Sequence, residues 1–333
     1  MSKRIAIAGV TGAVGTEILQ CLEERNFPVS ELVPLASARS AGKKIQFQST
    51  EHVIRELGPD SFEGVDIALF SASGAVSLDL APAAAAAGAV VIDNSSAFRM
   101  DDDVPLVVPE INAAAAADRP RGIIANPNCT TIVSLMALEP LHREFGVKAV
   151  IASSYQAVSG SGAEGIAELD RQVAALSGGA TEVEKSVYPH QIAFNVIPQV
   201  DVFQPNGYTK EEMKLLNESR KILSHPTLNA SITCVRVPVY RAHSVAITAT
   251  FERPVDVARA RQVIAAAEGV QVVDDPETGL YPTPLDATGG DDCLVGRIRL
   301  DLALENALSF WVVGDQVRKG AALNAVQIAE LLV

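Results

Sequence analysis

"RIAIAGVTGAVGTEILQCLEER", residues 4–25, is the stretch whose reading decides the fold. Ile5 to Ala8 form a short apolar run, Gly9, Gly12 and Gly15 follow at three-residue intervals, and Ile18, Leu19 and Leu22 then share one helical face. That order reads as a buried strand, a glycine turn and an amphipathic helix, the opening of a nucleotide-binding sheet. The glycines let backbone N–H groups approach a pyrophosphate at the positive end of the helix. Further strand-like runs, "ELVPLAS", "VDIALFSA", "AVVIDNS" and "GIIAN", alternate with helical or turn segments such as "LDLAPAAAAAG". Strands alternating with helices imply a parallel, doubly wound sheet. The alanine runs at 83–87 and 113–117 read as ordinary helix.

Beyond about residue 147 the texture changes. "KAVIASSYQAVSG", "SITCVRVPV", "HSVAITATF" and "LSFWVVGD" are longer alternating runs, suited to a mostly antiparallel sheet with one face covered by helices such as residues 163–176. "GAALNAVQIAELLV" closes the chain as an amphipathic helix able to return to the first domain. With 333 residues, 48 % of them hydrophobic and 20 % charged, two globular domains are expected.

A net charge of −13 argues against nucleic acid or an anionic membrane as the main partner, since either favours a basic face. The four cysteines, Cys21, Cys129, Cys234 and Cys293, show neither CxxC nor Cys/His metal spacing, so no metal site and no disulfide framework is expected. A reducing cytoplasm fits that usage. "MSKRIAIAGV" has an apolar run too short for a leader, and no stretch approaches the roughly 18 apolar residues of a membrane helix.

The end of the second strand discriminates between dinucleotides. "LASARSAGKK" offers Ser37, Arg39 and Ser40, with Lys43 and Lys44 nearby and no carboxylate for a free ribose hydroxyl pair. The pocket reads as one for a ribose phosphate, hence NADP.

"NPNCTT", residues 126–131, places Cys129 between the strand "GIIAN" and the helix "TTIVSLMALEPL". At a helix N-terminus the dipole and unpaired N–H groups favour a thiolate, which makes Cys129 a candidate nucleophile. Cys21 and Cys234 lie mid-element among apolar neighbours and read as structural. Of five histidines, His52, His142 and His225 read as surface residues, whereas His190 and His243 are candidates for proton transfer. Arg236 and His243 are an odd number of residues apart, so a straight strand would put them on opposite faces. Pro238 marks a break that could bring both to one site. "SSYQAVSGSGAEG" carries Gln156 ahead of a Ser/Gly-rich turn able to hold an anion or approach a flat ring. Arg99, beside three aspartates, reads as readily as an ion-paired surface residue as a functional one.

In chain order, "GVTGAVG", "SARSAG", "NSSAFRM", "PNCTT", "SYQAVSGSG", "EEMK", "CVRVPVYRAHS" and "VGDQVRKGAALNA" resemble the aspartate-semialdehyde dehydrogenases across essentially the whole chain. The interval from "GYTKEEMK" to "CVRVPV" looks like the shorter, Gram-positive type. The resemblance implies an α/β protein: a Rossmann-type NADP-binding domain at residues 1–128, with a C-terminal helix of about 314–333 packing back on it. An α+β catalytic and dimerisation domain, like that of glyceraldehyde-phosphate dehydrogenase, would span 129–313.

The same resemblance implies phosphate-dependent, reversible oxidation of L-aspartate 4-semialdehyde to L-4-aspartyl phosphate with NADP. Physiologically the reaction is reductive and serves lysine, threonine, methionine and diaminopimelate synthesis. Cys129 resembles the nucleophile that becomes an acyl-thioester, His243 the acid/base, and Gln156 the residue orienting substrate. Arg236 is similar to the holder of the substrate carboxylate and Glu211 to that of its amino group. Arg99 and Lys214 resemble the phosphate-binding pair. Gly9, Thr11, Gly12, Ala13, Val14, Gly15, Ser37, Arg39, Ser40, Ser159, Gly160 and Gln316 match cofactor positions. The implied partners are the small-molecule substrate, inorganic phosphate and a second copy of the chain, as a homodimer or homotetramer.

The competing readings are another phosphate-linked aldehyde dehydrogenase, such as N-acetyl-glutamyl-phosphate reductase or glyceraldehyde-phosphate dehydrogenase, and a non-catalytic paralogue. Against the former stands the α-amino-acid set Arg236, Glu211 and Lys214. Against the latter stands the retained Cys/His pair. Arg39→Ala is expected to lower the NADP over NAD preference in kcat/KM by about tenfold or more, the worth of a charge-assisted hydrogen bond. An unchanged ratio overturns the ribose-phosphate reading.

Overall fold

β1 (Lys3–Ala8) runs directly into the glycine turn and α1 (Ala13–Glu24). In the computed structural model, which describes residues 2–333, it lies inside a sheet with β2 (Val29–Ala36), β5 (Arg55–Glu56), β6 (Ile67–Phe70), β7 (Val90–Asp93) and β8 (Ile123–Ala125). A hairpin of β3 (Lys44–Phe47) and β4 (Thr50–Val53) stands apart. The strand order is β5-β2-β1-β6-β7-β8, with every pairing parallel. β6 and β8 are buried along their whole length, as strands covered on both faces must be. The order reverses between β1 and β6, so the crevice of the sheet opens where β1 meets the glycine turn.

α2 (Gly74–Ala86) and α3 (Pro109–Asn112) complete the α-helices of this stretch. The run 113–117 differs from the expectation of ordinary helix, being a 3₁₀ helix. Asn112 accounts for this: its side chain accepts from the Val108 N–H at 2.9 Å and donates to the Leu106 carbonyl at 2.9 Å. Such side-chain bonds to nearby backbone compete with α-helical continuation.

These elements belong to one of two compact units, which runs through Asn128 and resumes at Ala321–Val333; the other is Cys129–Gly320. The second unit opens with α4 (Cys129–Phe145) and β9 (Val147–Gln156), followed by α5 (Gly162–Ser177) and α6 (Lys210–Ile222). Then come β10 (Asn229–Arg236), β11 (His243–Phe251), α7 (Val257–Ala265), β12 (Val270–Val272), α8 (Pro284–Ala287), β13 (Cys293–Leu300) and β14 (Ala307–Gly314). Its sheet has the order β10-β9-β11-β14-β13-β12. The three inner pairings are antiparallel and the two edge pairings parallel.

α4 packs on this sheet, against β9, β11, β13 and β14. Every residue from Thr130 to Leu141 is buried, which explains a helix sequence apolar almost all round. Alternation along β9 turns Ala152, Ser154 and Gln156 inward and leaves Ile151 and Tyr155 exposed.

A π turn at Arg318–Ala322 leads into α9 (Leu323–Glu330). This helix is shorter than the expected 314–333. Gly314 ends β14, and the Asp315 carboxylate captures the N–H groups of Val317 at 2.9 Å and Arg318 at 3.1 Å before any α-helical bond forms. Leu323, Val326 and Ile328 join Ile18 and Leu22 in the core of the first unit. Arg25 of α1 forks onto Glu330 with two bonds of 2.7 Å. Among the described residues, no helix is long and apolar enough to cross a membrane.

Two glycines of the first turn are sterically required. Gly9 has φ of +89°, and a Cβ there would lie 2.1 Å from the Ser71 carbonyl oxygen. A Cβ at Gly15 would lie 2.2 Å from the Gly9 oxygen, whereas at Gly12 the nearest atom is 3.4 Å away. Gly9→Ala should therefore cost about 2–4 kcal/mol of stability and Gly12→Ala less than about 1 kcal/mol. Denaturant midpoints measure both, and equal effects would contradict the assigned geometry.

Candidate active site

The first unit supplies a nucleotide-shaped turn. Thr11, Gly12 and Ala13 are exposed at the start of α1, with Val14 half-buried, and Gly12 caps the helix without a side-chain bond. The first-turn N–H groups are thus left for a ligand. Ser37, Arg39 and Ser40 follow β2 in a turn closed by a 2.8 Å bond from the Ser40 N–H to the Ser37 carbonyl. Ser37 and Arg39 are exposed and Ser40 is buried. Lys44 is turned to Glu51 across the hairpin at 2.6 Å.

Arg99 does not lie on the surface. Asp101 and Asp103 are bound by Arg121, at 2.7 and 3.3 Å. Arg99 is buried, with Nε donating to the Asn126 carbonyl at 2.9 Å and Nη2 to the Asn94 carbonyl at 2.8 Å. Asn126 is held in turn by Asn324 at 2.6 Å.

The second unit gathers the remaining candidates. Cys129, half-buried and not in a disulfide, begins α4. The π turn backs it so closely that a Cβ at Gly320 would lie 2.9 Å from the Cys129 Cβ. Gln156 ends β9, where its Oε1 accepts from Ser154 Oγ at 3.0 Å and its Nε2 donates to Glu211 Oε1 at 3.1 Å. Glu211, in the first turn of α6, binds Lys214 Nζ through Oε2 at 2.7 Å. Asp201 lies 3.4 Å from the same ammonium.

β10 lies beside β9 with Arg236 opposite Gln156. β10 ends at Arg236, a turn follows, and β11 begins at His243. The chain break at the proline therefore lets both side chains reach one place. A Cβ at Gly160 would lie 2.8 Å from Arg236 Nη1 and 3.3 Å from His243 Nε2. Ala157 grips both: its carbonyl accepts from Arg236 Nη1 at 2.6 Å and its N–H donates to His243 Nδ1 at 3.1 Å.

His243 is wholly buried, and its Nε2 has no hydrogen-bond partner among the described residues. Burial first, then the Arg236 guanidinium, pushes its pKa down to about 3, with Glu211 opposing. The ring is neutral at physiological pH. Because Nδ1 accepts, its proton sits on Nε2. A buried donor without a partner is costly in the folded chain and becomes useful when a reacting oxygen arrives. Gln316 accepts from the Ala242 N–H at 2.8 Å and donates to Ser159 Oγ, tying two cofactor candidates to the turn before His243.

His190 is exposed. His142 and His225 are not surface residues: they are half-buried and stacked with ring centroids 5.1 Å apart, His142 on the N–H and His225 on the carbonyl of Val147. Burial and the neighbouring His225 push the His142 pKa down. Sequence reasoning missed Ser154, although the two-residue spacing from Gln156 on one strand face was a usable signal.

Two family models match consecutive parts of the chain. Residues 4–119 match the family described as "Semialdehyde dehydrogenase, NAD binding domain" and residues 138–319 "Semialdehyde dehydrogenase, dimerisation domain". The aspartate-semialdehyde dehydrogenase of Aquifex aeolicus is 52 % identical, over 100 % of this chain and 98 % of that one. The chain belongs to the aspartate-semialdehyde dehydrogenases. The Bacillus subtilis member of that family is 50 % identical, with 98 % and 96 % of the two chains covered. Aspartate-semialdehyde dehydrogenase II of Vibrio cholerae superposes with a TM-score of 0.97 at 47 % identity, covering 100 % and 98 %, and has also been solved complexed with ASA. The Candida albicans enzyme, solved with NADP, gives 0.76 at 26 % identity over 100 % and 98 %.

In this dehydrogenase Cys21, Cys234 and Cys293 are buried, and burial pushes the Cys234 thiol up. A small alkylating agent should therefore label one thiol per chain, at Cys129, near pH 6 and faster than free cysteine. Labelling that is no faster, or that survives in Cys129→Ala, removes Cys129 from the nucleophile's role.

Proposed function

We propose that the chain catalyses the reversible, NADP-linked and phosphate-dependent oxidation of L-aspartate 4-semialdehyde to L-4-aspartyl phosphate, used in the reductive direction for amino-acid biosynthesis. The observation that carries the mechanism is the neutral His243, whose unpartnered Nε2–H lies beside Arg236 in the unit that opens with Cys129. The glycine turn leaves the first-turn N–H groups of α1 for a pyrophosphate, and Ser37, Arg39 and Ser40 supply donors for a ribose phosphate. Those residues would hold NADP, which accepts the hydride during oxidation.

The Cys129 thiolate adds to the aldehyde carbon, forming a C–S bond and turning the carbonyl oxygen into an alkoxide. His243 donates a hydrogen bond from Nε2 to that oxygen, where negative charge develops. Loss of hydride from the carbon leaves a thioester. A phosphate oxygen then attacks the acyl carbon, and the thiolate leaves with the C–S bond electrons. Sulfur suits this step because a thiolate is a better leaving group than an alkoxide. In the resting site the His243 proton sits on Nε2, where it can serve that oxygen as the acid/base.

Arg236 would take the substrate carboxylate and Glu211 its ammonium, with Gln156 orienting the reacting end. Arg99 and Lys214 would bind phosphate, and Ser159, Gly160 and Gln316 would face the nicotinamide. The unit through Asn128 with the returning α9 would be the cofactor domain, and the unit from Cys129 the catalytic and dimerisation domain. A homodimer is supported by the match of residues 138–319 to a dimerisation domain, with Ile151 54 % and Tyr155 37 % exposed on the outer face of the second sheet.

With L-aspartate 4-semialdehyde and NADP, NADPH should form only when phosphate is present, and Cys129→Ala should lower kcat by about a thousandfold or more. Activity in the absence of phosphate rules out phosphate as the acyl acceptor. Inactivity of folded, NADP-binding protein rules out the substrate.

A further inference from the structure

We infer that Asp315 is a positioning residue for the reaction: its buried carboxylate fixes both the turn that presents His243 and the backbone that backs Cys129. The inference rests on the reading of His243 as the donor to the reacting oxygen.

Asp315 is fully buried and collects four donors. Oδ2 accepts from Arg241 Nε at 2.6 Å and from the Gly289 N–H at 2.7 Å; Oδ1 accepts from the Val317 and Arg318 N–H groups at 2.9 and 3.1 Å. Two consequences follow along the chain. Arg241 is two residues before His243, and the intervening Ala242 has φ of +70°, a left-handed conformation that costs about 1 kcal/mol or more for a residue with a Cβ. It persists because both sides are tied: Arg241 to Asp315, and the Ala242 N–H to Gln316, the residue after Asp315. The acid end of the network thus holds the backbone from which the His243 ring extends.

On the other side, the Asp315 carbonyl accepts from the Gly320 N–H at 3.0 Å, closing the π turn. Gly320 is the residue that a Cβ would drive into Cys129. One residue therefore sets, through its side chain, the approach to the donor and, through its carbonyl, the wall behind the nucleophile. Near-attack geometry is sensitive to displacements of about 1 Å, worth about a hundredfold in rate.

Asparagine at this position keeps the shape but has only one acceptor oxygen. Its amide would turn N–H toward two of the four donors, so either the Arg241 end or the π-turn end is released. Release of the Arg241 end admits water to the ring. The groups facing that ring are Arg236 from β10, Glu211 from α6 and the Ala157 N–H beyond β9. Solvation removes the desolvation penalty that keeps the ring neutral.

The test uses the full-length protein, with steady-state kinetics and an NMR titration of the histidine rings, the His243 signal being assigned by its loss in His243→Asn. In the parent the ring should not titrate above pH 5. In Asp315→Asn, kcat should fall about 10–100-fold with KM within about threefold, and the ring should titrate near pH 6. Arg241→Ala should move both readouts in the same direction, and adding it to Asp315→Asn should add little. A kcat within twofold of the parent overturns the inference, as does a fall in kcat with an unshifted ring, which marks a purely structural role. If Asp315→Asn does not fold, Arg241→Ala decides by the same criteria. If His243→Asn keeps the parent kcat, the donor reading of His243 fails separately, and the ring titration alone decides the positioning role.

Discussion

The backbone of a single residue, Ala157, decides the chemistry of the second unit. Its N–H occupies Nδ1 of a histidine that water does not reach, and its carbonyl holds the arginine beside it. The first bond dictates which nitrogen carries the proton. The second keeps a fixed positive charge near the ring, which together with burial disfavours a second proton. A histidine free to rotate or hydrate would present either tautomer and a variable charge. Here one tautomer is built into the backbone.

That residue is so placed because of the sheet. β9 and β10 run parallel, so Gln156 and Arg236 arrive side by side at the same end. β11 returns antiparallel to β9 and starts at that end with His243. Three side chains from three neighbouring strands therefore emerge together without any long loop to place them. The turn between β10 and β11 is stitched to residues 158–159 by the bonds from the Val158 N–H to the Val239 carbonyl and from the Ser159 N–H to the Tyr240 carbonyl. The polar chain from Ser154 through Gln156 and Glu211 to Lys214 extends the order sideways into α6.

What could be read from the sequence was what is local. The glycine turn, the alternation of strands and helices to residue 128 and the position of Cys129 at a helix start each depend on residues within one turn or strand. β13 was missed because a bulge between Gly296 and Arg299 interrupts its alternation, with Arg297 in a left-handed conformation. The burial of Arg99 and the stacking of His142 on His225 were not legible, since each depends on partners far along the chain. Asp315 was equally hidden: an aspartate after a strand has the same local signature whether its carboxylate faces water or four N–H donors. The convergence of Arg236 and His243 lay between these cases, because Pro238 announced a break but not its direction.

α9 gives the first unit a topological cost. Its core includes Leu323, Val326 and Ile328, which are made after the whole of the second unit. During synthesis the apolar stripe of α1 leaves the ribosome nearly three hundred residues ahead of the helix that covers it. The second unit, continuous in sequence, can complete its own sheet in that interval. The order in which the units reach their final stability is thus opposite to the order in which they begin.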